Sequence, residues 1–391
     1  MQREELAIIG AGMTKFGKHS DLSLKQLGGQ AIELALRDAG LEREDIDAAF
    51  MSNAMASVVT GQVSVVGQNV LRANGFNSIP VFNIDNACAG SSSAFHLALH
   101  YIRSGAARTV LVVGVEKLVS ADRTRAYLAL NGAADIDFVA KSGIDSTKES
   151  IFVSAIYPER LARYRAAYGL DARMLAEISV KNRRHARGNP NAQFSEPLSV
   201  EAVLQSRVIV EPLTALMCAP IGDGAAALVI ARKDRVQGLQ RPVWVRGSAV
   251  GMGAAPSRMS SIARVAATAY AEAGVLAADI DVAEVHDSTA FNELVAYEEL
   301  GFCSIGRGAD LVLDGVTAIG GRRPVNPSGG LESRGHPVAA TGAAQLVELA
   351  MQLRGEAGSR QVAGARLGLA ENAGGFATDD TAAIAVTVLE A

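Results

Sequence analysis

Cys88 lies in the segment NACAGS, residues 86–91, and its position in the chain suits covalent chemistry. A short β-prone run precedes it at 81–84, and apolar residues at helical spacing over 94–102 predict a helix after it. The thiol is therefore expected on a strand-to-helix turn, where free N–H groups and the helix dipole lower a thiol pKa. An inert, buried cysteine is the alternative for this segment taken alone.

Two histidines have comparable positions in the second half of the chain. His336 lies in a glycine-rich segment, 326–342, where a rigid turn would aim its imidazole and the glycines would admit a ligand. His286 follows a predicted buried strand and opens a helix, although a structural histidine is the alternative there. A further glycine turn, 371–376, follows the strand at 366–370, and its N–H groups could donate to a developing oxyanion.

The composition indicates a large α/β protein. The chain has 391 residues, of which 49% are hydrophobic but only 5% aromatic, and two or more domains are expected. A net charge of −4 without long charge runs gives no indication of nucleic-acid or membrane-surface binding. No apolar run has membrane-spanning length, and residues 1–5 lack a signal pattern, so we expect a cytoplasmic protein. The three cysteines are far apart, which predicts free thiols and no metal site.

The chain contains an internal repeat. A strand, a helix ending in Ala-Gly, the triplet Asp-Ile-Asp and another strand occur near the N-terminus and recur, with the same spacing, from residue 240 onwards. The sequence thus predicts two similar βαβαβ halves, with boundaries at 1–118 plus 208–238 and at 239–391. The intervening residues 119–207 are predicted to form a loop subdomain that covers one end of the sheet and shapes a substrate pocket. Its basic stretch, 181–187, could meet ligand phosphates or form a solvated face.

These motifs, in this order and over essentially the whole chain, resemble the thiolase superfamily. The pair His286-Asp287 is similar to that of the sterol-carrier-protein-type (lipid-transfer) thiolases, which include acetyl-CoA acetyltransferase-like relatives. The resemblance implies a five-layered α-β-α-β-α fold built from two similar halves and a loop subdomain. It also implies acyl-CoA as substrate, coenzyme A as substrate or product without a further cofactor, and a homodimer or homotetramer.

The resemblance also implies roles for individual residues. Cys88 would carry the acyl group as a thioester, and His336 would accept the thiol proton. His286 and His336 would bind the thioester oxygen of the second substrate. The N–H groups of Cys88 and Gly374 would hold the acyl oxygen. Phe291 is expected to contact the substrate, and Gly330 is expected to do the same.

Two positions depart from the family pattern. Asn372 stands where thiolases have a second cysteine in a Cys-x-Gly turn, and Ser288 stands where some sterol-carrier-type enzymes have one after His-Asp. Neither side chain is an effective base near neutral pH. His286 could take the proton role, or the acyl group could pass to an oxygen, a nitrogen or an activated aromatic carbon.

The sequence therefore predicts an acyl-CoA C-acyltransferase of lipid metabolism, which forms or cleaves a 3-ketoacyl-CoA through a thioester on Cys88. One alternative is a retro-aldol lyase of the lipid-transfer-protein type, which works without the nucleophilic cysteine and with a hot-dog-type (DUF35/OB) partner subunit. A non-catalytic subunit that binds acyl-CoA is the other alternative.

Overall fold

The computed structural model describes residues 5–236, 241–254, 259–377 and 379–391. Residues 1–4 lie outside these ranges, and so does the predicted domain boundary between 238 and 239. The expectation about the N-terminal sequence and the placing of that boundary therefore stay predictions. In the described ranges no helix is both long and apolar enough to cross a membrane.

A mixed sheet of nine strands runs through the molecule in the order β3-β2-β4-β7-β1-β8-β11-β10-β9. Strands β2, β3 and β4 are mutually parallel, as are β9 and β10, whereas the other neighbours are antiparallel. β5 and β6 form a separate small sheet. The strands described are β1 (Leu6–Met13), β2 (Ala48–Ser52), β3 (Val81–Ile84), β4 (Thr109–Glu116), β5 (Val208–Val210), β6 (Leu213–Thr214), β7 (Gly224–Arg232), β8 (Val243–Gly251), β9 (Val282–Glu284), β10 (Leu367–Ala377) and β11 (Asp380–Glu390).

Helices cover both faces of this sheet, and short turns connect several of them. The helices described are α1 (Leu24–Ala39), α2 (Ala56–Val59), α3 (Val66–Ala73), α4 (Gly90–Arg103), α5 (Arg123–Asn131), α6 (Ile136–Ser142), α7 (Tyr157–Tyr168), α8 (Ala172–Ala186), α9 (Val200–Leu204), α10 (Ser261–Ala273), α11 (Ala290–Glu299), α12 (Gly308–Leu313), α13 (Gly330–Arg334) and α14 (Thr341–Arg354). Three-residue 3-10 turns at Ala87–Ala89 and Val338–Ala340 directly precede α4 and α14.

The two halves of the sheet meet through β1 and β8, where Ala7 pairs with Trp244 and Ile8 with Val243. The central apolar core combines α4 and α14 with strands from both halves. Outside them, α1 and α3 pack on the first half-sheet, while α10 and α11 pack on the second. This gives the predicted succession of five layers, with two helices buried in the middle.

The predicted repeat is visible in the helices α1 and α10. Each begins at a serine whose hydroxyl accepts a backbone N–H three residues on, Ser23 in α1 and Ser260 in α10. Each ends at a glycine in the left-handed region, Gly40 with φ 64° and Gly274 with φ 70°, where a side chain would be strained. The same start and stop signals therefore produce matching outer helices in the two halves.

Candidate active site

The N-termini of the two central helices meet at the site. Cys88 lies in the turn before α4, and His336 lies just before the turn that leads into α14. The two helix starts are tied together by a hydrogen bond of 2.9 Å from the Ala343 N–H to Ser91 Oγ. A Cβ on Gly342 would lie 2.0 Å from Ser92 Oγ, so this close approach requires glycine.

His286 completes the group from the end of β9. The side-chain donor atoms of Cys88, His286 and His336 all lie within 4.8 Å of one another. The two imidazole rings are 5.2 Å apart between centroids and meet edge to face at 80°. Residues separated by about 250 positions are therefore brought together as the motifs predicted.

The hydrogen bonds of His336 determine which of its nitrogens carries the hydrogen. Its Nδ1 is 2.7 Å from Thr341 Oγ1, and the Thr341 hydroxyl donates to the Pro337 carbonyl at 3.1 Å. Because that hydroxyl hydrogen is used, Thr341 Oγ1 accepts the hydrogen on Nδ1. Nε2 of His336 is left as a proton acceptor.

His286 has the opposite tautomer. Ser92 Oγ donates to Asn372 Oδ1 at 3.0 Å, which orients the Asn372 amide so that its Nδ2 donates to His286 Nδ1, also at 3.0 Å. With Nδ1 accepting, the hydrogen lies on Nε2. Asn372, at the position of the missing cysteine, thereby makes His286 a hydrogen-bond donor. The site contains one imidazole that accepts and one that donates.

The expectation that the helix start lowers the Cys88 pKa is wrong. Burial raises the pKa of this thiol to about 12, and the negative charges of Glu116 and Asp85 act in the same direction. The backbone N–H groups of Gly375 and of Cys88 itself oppose this rise without cancelling it. Desolvation of the charged form outweighs the helix dipole, so the resting nucleophile is a neutral thiol.

Both histidines are neutral as well. Burial lowers the pKa of His286 to about 3. Burial, with the nearby His286 and Arg334, holds the pKa of His336 well below its ordinary value. Neutral imidazole is the form that can accept a proton, so the thiol and the base are poised for transfer when a substrate arrives.

The N–H of Gly375 is a backbone donor to the Cys88 thiol. Gly375 adopts a left-handed φ of 65° within β10, a conformation that glycine allows. Gly374 borders the same cavity and packs closely against the turn before α4, since a Cβ there would lie 2.4 Å from both Ala89 N and Asn86 O. The predicted glycine turn therefore reaches the site, and the role of the Gly374 N–H toward the acyl oxygen stays a prediction.

Of the two predicted substrate-contacting residues, only one borders the cavity beside Cys88. Phe291 lines this cavity, but Gly330 does not. A Cβ on Gly330 would lie 2.1 Å from the Asp287 carboxylate, which accepts the N–H groups of Leu331 at 2.7 Å and Glu332 at 3.3 Å. Gly330 thus lets Asp287 bind the first turn of α13 and fix the histidine loops. Its contact with a substrate stays a prediction.

The cavity has a volume of about 510 Å³ and opens beside the thiol. Much of its wall comes from the inserted residues 119–207, as predicted. Its apolar lining includes Phe152, Val153, Ile156, Phe291 and Val295, and its polar lining includes Tyr157, Arg160, Arg183, Arg207, Glu299 and Glu371.

A polar triad in the cavity wall was not predicted. Asn292 Nδ2 donates to Ser288 Oγ at 2.9 Å, and Ser288 Oγ donates to Tyr157 Oη, also at 2.9 Å. The phenol hydrogen of Tyr157 is therefore free to point to a ligand. Tyr157 lies within the predicted loop subdomain, 119–207, and the sequence gives no signal that it would approach Ser288.

The basic stretch at 181–187 was expected either to meet ligand phosphates or to form a solvated face, and its side chains do both kinds of thing. Arg183 lines the cavity, donates to Ser333 Oγ at 3.0 Å and stacks on the Phe194 ring. Lys181 is buried in an ion pair with Glu293, whereas Arg184 and Arg187 are exposed. Arg183 is thus the side chain of the stretch that lines the cavity, while Arg184 and Arg187 belong to a solvated face.

Among the described residues, Cys88, His286 and His336 form the one group of three with metal-ligand character. A thiolate and two imidazoles suit Zn²⁺, although tetrahedral coordination at about 2.0–2.3 Å would require the three side chains to close slightly. The same atoms are those needed for acyl transfer.

Two family models match the chain and show to which family it belongs. The thiolase N-terminal domain matches residues 6–234, and the thiolase C-terminal domain-like model matches residues 248–387. The chain belongs to the thiolase family. The predicted resemblance and the predicted enzyme class are confirmed.

The similar proteins include an acetyltransferase, a thiolase subunit and a sterol carrier protein. The chain is 36% identical to the acetyl-CoA acetyltransferase of Methanothermobacter thermautotrophicus over 97% of this chain and 98% of that protein. It is 34% identical to human sterol carrier protein 2 over 94% of this chain and 69% of that protein. It is 34% identical to the benzoylsuccinyl-CoA thiolase subunit BbsB of Thauera aromatica over 91% of this chain and 90% of that protein.

Two solved structures have the same fold. The Ltp2-ChsH2(DUF35) aldolase matches with a TM-score of 0.78 and 26% identity, over 99% of this chain and 98% of that one. Human mitochondrial 3-ketoacyl-CoA thiolase matches with a TM-score of 0.74 over the full length of both chains. At 16% identity, the second match supports the fold alone.

Proposed function

We propose that this thiolase-family protein is an acyl-CoA C-acyltransferase that forms or cleaves a 3-ketoacyl-CoA through a thioester on Cys88. The observation that carries the proposal is the arrangement at the thiol. Cys88 opens to the cavity, lies beside the accepting Nε2 of His336 and is backed by N–H donors of the β10 turn. This is a nucleophile with its base and oxyanion donors in place.

The first step transfers an acyl group to the enzyme. His336 Nε2 takes the proton from Cys88 as Sγ attacks the thioester carbonyl of the acyl-CoA. The oxyanion that forms would accept the N–H groups of Cys88 and Gly374, the bond to the coenzyme A sulfur breaks, and the imidazolium protonates the departing thiolate. Charge is therefore never left on an isolated buried group, which fits a site whose three resting side chains are neutral.

The second step joins or separates carbon atoms. The thioester oxygen of a second acyl-CoA would accept the hydrogen on Nε2 of His286, so that negative charge gathers there as its Cα becomes nucleophilic. That carbon attacks the acyl carbonyl on Cys88 as its Cα–H bond breaks, and the released proton ends on the Cys88 thiolate that leaves. Run in reverse, the same arrangement splits a 3-ketoacyl-CoA with coenzyme A.

Coenzyme A fits the polar side of the cavity. Arg183 and Arg207 line it together with the aromatic ring of Phe194, a set that suits phosphates and an adenine ring. The acyl group would then occupy the apolar side along α7 and α11, where Ile156 and Phe291 contribute to the wall. No resident cofactor is required for this chemistry.

A retro-aldol lyase is the second candidate, because a similar structure is named an aldolase and contains a DUF35 component. Asn372 and Ser288 in place of cysteines also suit a lyase. In that case a hot-dog-type (DUF35/OB) partner subunit would be expected to copurify. A non-catalytic acyl-CoA-binding subunit is the third reading, and the intact arrangement of Cys88 and His336 opposes it.

The two enzymes differ in their need for the thiol. A 3-ketoacyl-CoA with coenzyme A, and a β-hydroxyacyl-CoA without it, would be given to the wild type, to Cys88→Ala and to the control Cys303→Ala, whose thiol lies outside the cavity. Cleavage of the first substrate that is lost only in Cys88→Ala supports the transferase. Cleavage of the second that persists in Cys88→Ala supports the lyase and contradicts the transferase.

We also propose a cytoplasmic homodimer. β3 pairs only with β2 among the described strands, and Phe82 on it is 40% exposed. An open edge strand with an exposed aromatic ring favours association with a second copy. Light scattering of the purified protein tests this, and a homotetramer would appear as twice the dimer mass.

A further inference from the structure

Glu371 has a buried carboxyl group in the wall of the cavity that contains Cys88. It lies on β10 next to Asn372, and its side chain is 1% exposed. Its Oε2 accepts the backbone N–H of His286 at 2.9 Å. Its Oε1 has no hydrogen-bond partner among the residues that the structure describes, and the residue lines the same cavity as Cys88.

The proposed carbon–carbon step needs a proton acceptor that the family's missing cysteines do not supply. His336 Nε2 serves the thiol, and His286 presents a hydrogen rather than a lone pair. The amide of Asn372 and the hydroxyl of Ser288 are too weak to act as bases. In the described part of the chain, three glutamates with unpartnered carboxylate oxygens line the cavity, namely Glu299, Glu332 and Glu371. Of these, Glu371 is the one that accepts the backbone N–H of His286.

A purely structural role would not require an acid. A glutamine could accept the His286 N–H equally well, without the free-energy cost of an unpartnered, buried carboxylate oxygen. Burial and the negative charge of Glu299 raise the pKa of Glu371 to about 7, against the lowering effect of the His286 N–H. A base is most effective when its pKa lies near the working pH.

We propose that Glu371 removes and returns the proton at Cα of the second acyl-CoA, in the role of the missing cysteine. This rests on the proposed function. In condensation, the Cα–H electron pair forms the new carbon–carbon bond to the acyl carbonyl, while Glu371 takes the proton. The carbon–sulfur bond to Cys88 breaks, and the thiolate receives that proton from Glu371. In cleavage each transfer runs backwards, so protons and electrons balance in both directions.

The test separates the two steps of the reaction. Acylation of Cys88 is followed by intact mass, and removal of the Cα proton by deuterium uptake into acetyl-CoA in heavy water. For Glu371→Gln, which keeps an acceptor for His286, we expect acylation within threefold of the wild type and deuterium uptake lowered a hundredfold or more. Glu298→Gln is the matched control, because Glu298 is also buried but lies outside the cavity, and both rates should stay unchanged.

Three results would overturn the proposal. These are deuterium uptake by Glu371→Gln within threefold of the wild type, loss of both steps in a folded Glu371→Gln protein, and no uptake by the wild type. The second would make Glu371 only a support for His286. If no acyl-CoA acylates the wild type, the proposed function itself fails, which is a different outcome.

Discussion

Replacing Thr341 by valine should slow acylation of Cys88 without preventing substrate binding. The Thr341 hydroxyl holds the hydrogen of His336 on Nδ1, at 2.7 Å, and so keeps Nε2 free to accept the thiol proton. Valine has nearly the same shape but cannot accept this hydrogen bond. Leaving a buried N–H unpartnered costs about 1–3 kcal/mol, which favours the tautomer with the hydrogen on Nε2. That tautomer cannot act as the base.

The free-energy cost of the lost hydrogen bond sets the expected fall in the acylation rate. At about 1.4 kcal/mol for each factor of ten, the reactive tautomer and the acylation rate should fall by roughly tenfold to a hundredfold. Rapid mixing with acyl-CoA, followed by acid quenching and intact mass, measures this single step. The affinity for the substrate should change little, because Thr341 is fully buried behind the imidazole.

Thr341→Ser is the matched control, since it keeps the hydroxyl and loses only a methyl group. Its acylation rate should stay within about threefold of the wild type. Equal rates for the valine variant and the wild type would refute the assignment of the His336 tautomer. Equal loss in the serine and valine variants would show that packing, rather than the hydrogen bond, is responsible. Thermal unfolding of both variants confirms that each is folded.

Three further outcomes follow from the site. Acylation should be independent of pH between about 5 and 8, because the lowered pKa values of His286 and His336 remove any transition near 6.5; a transition there would contradict this. Micromolar Zn²⁺ should inhibit acylation of Cys88, and a chelator should restore it, because the Cys88 sulfur and a nitrogen of each imidazole lie within 4.8 Å of one another. Equally strong inhibition of a His286→Asn variant would exclude this site. Tyr157→Phe should slow turnover of a 3-ketoacyl-CoA about three- to tenfold, the value of one hydrogen bond, and unchanged turnover would show that the phenol does not meet the substrate.

The sequence predicted the framework well because its signals are local. The first helix of the repeat was expected to end at an Ala-Gly pair, and α1 (Leu24–Ala39) is stopped by Gly40 as that pattern indicated. The strand-to-helix turn at Cys88 was found where expected, at the start of α4. Helix α4 packs between the two half-sheets and buries nine of its fourteen residues, but Leu97, within the predicted apolar run, is 46% exposed while Phe95 is fully buried. Which face meets which sheet is a tertiary property that periodicity cannot give.

The sequence predicted which residues form the site, but it did not predict the direction in which the pKa of Cys88 is shifted. Cys88, His286 and His336 were found together, but the direction of the Cys88 pKa shift depends on how many atoms surround the thiol, which a local motif does not show. The parts that were missed come from distant segments. Tyr157 reaches Ser288 from the insertion, and it could not be placed without the packing of α7 against α11.

The most direct test of the account is the mass of the intact protein after brief mixing with a panel of acyl-CoAs. The wild type should gain the mass of one acyl group, which peptide mapping should place on Cys88, and Cys88→Ala should gain none. The best donor in the panel would identify the preferred acyl group. No adduct on the wild type with any donor, or an equal adduct on Cys88→Ala, would contradict acyl transfer through this cysteine.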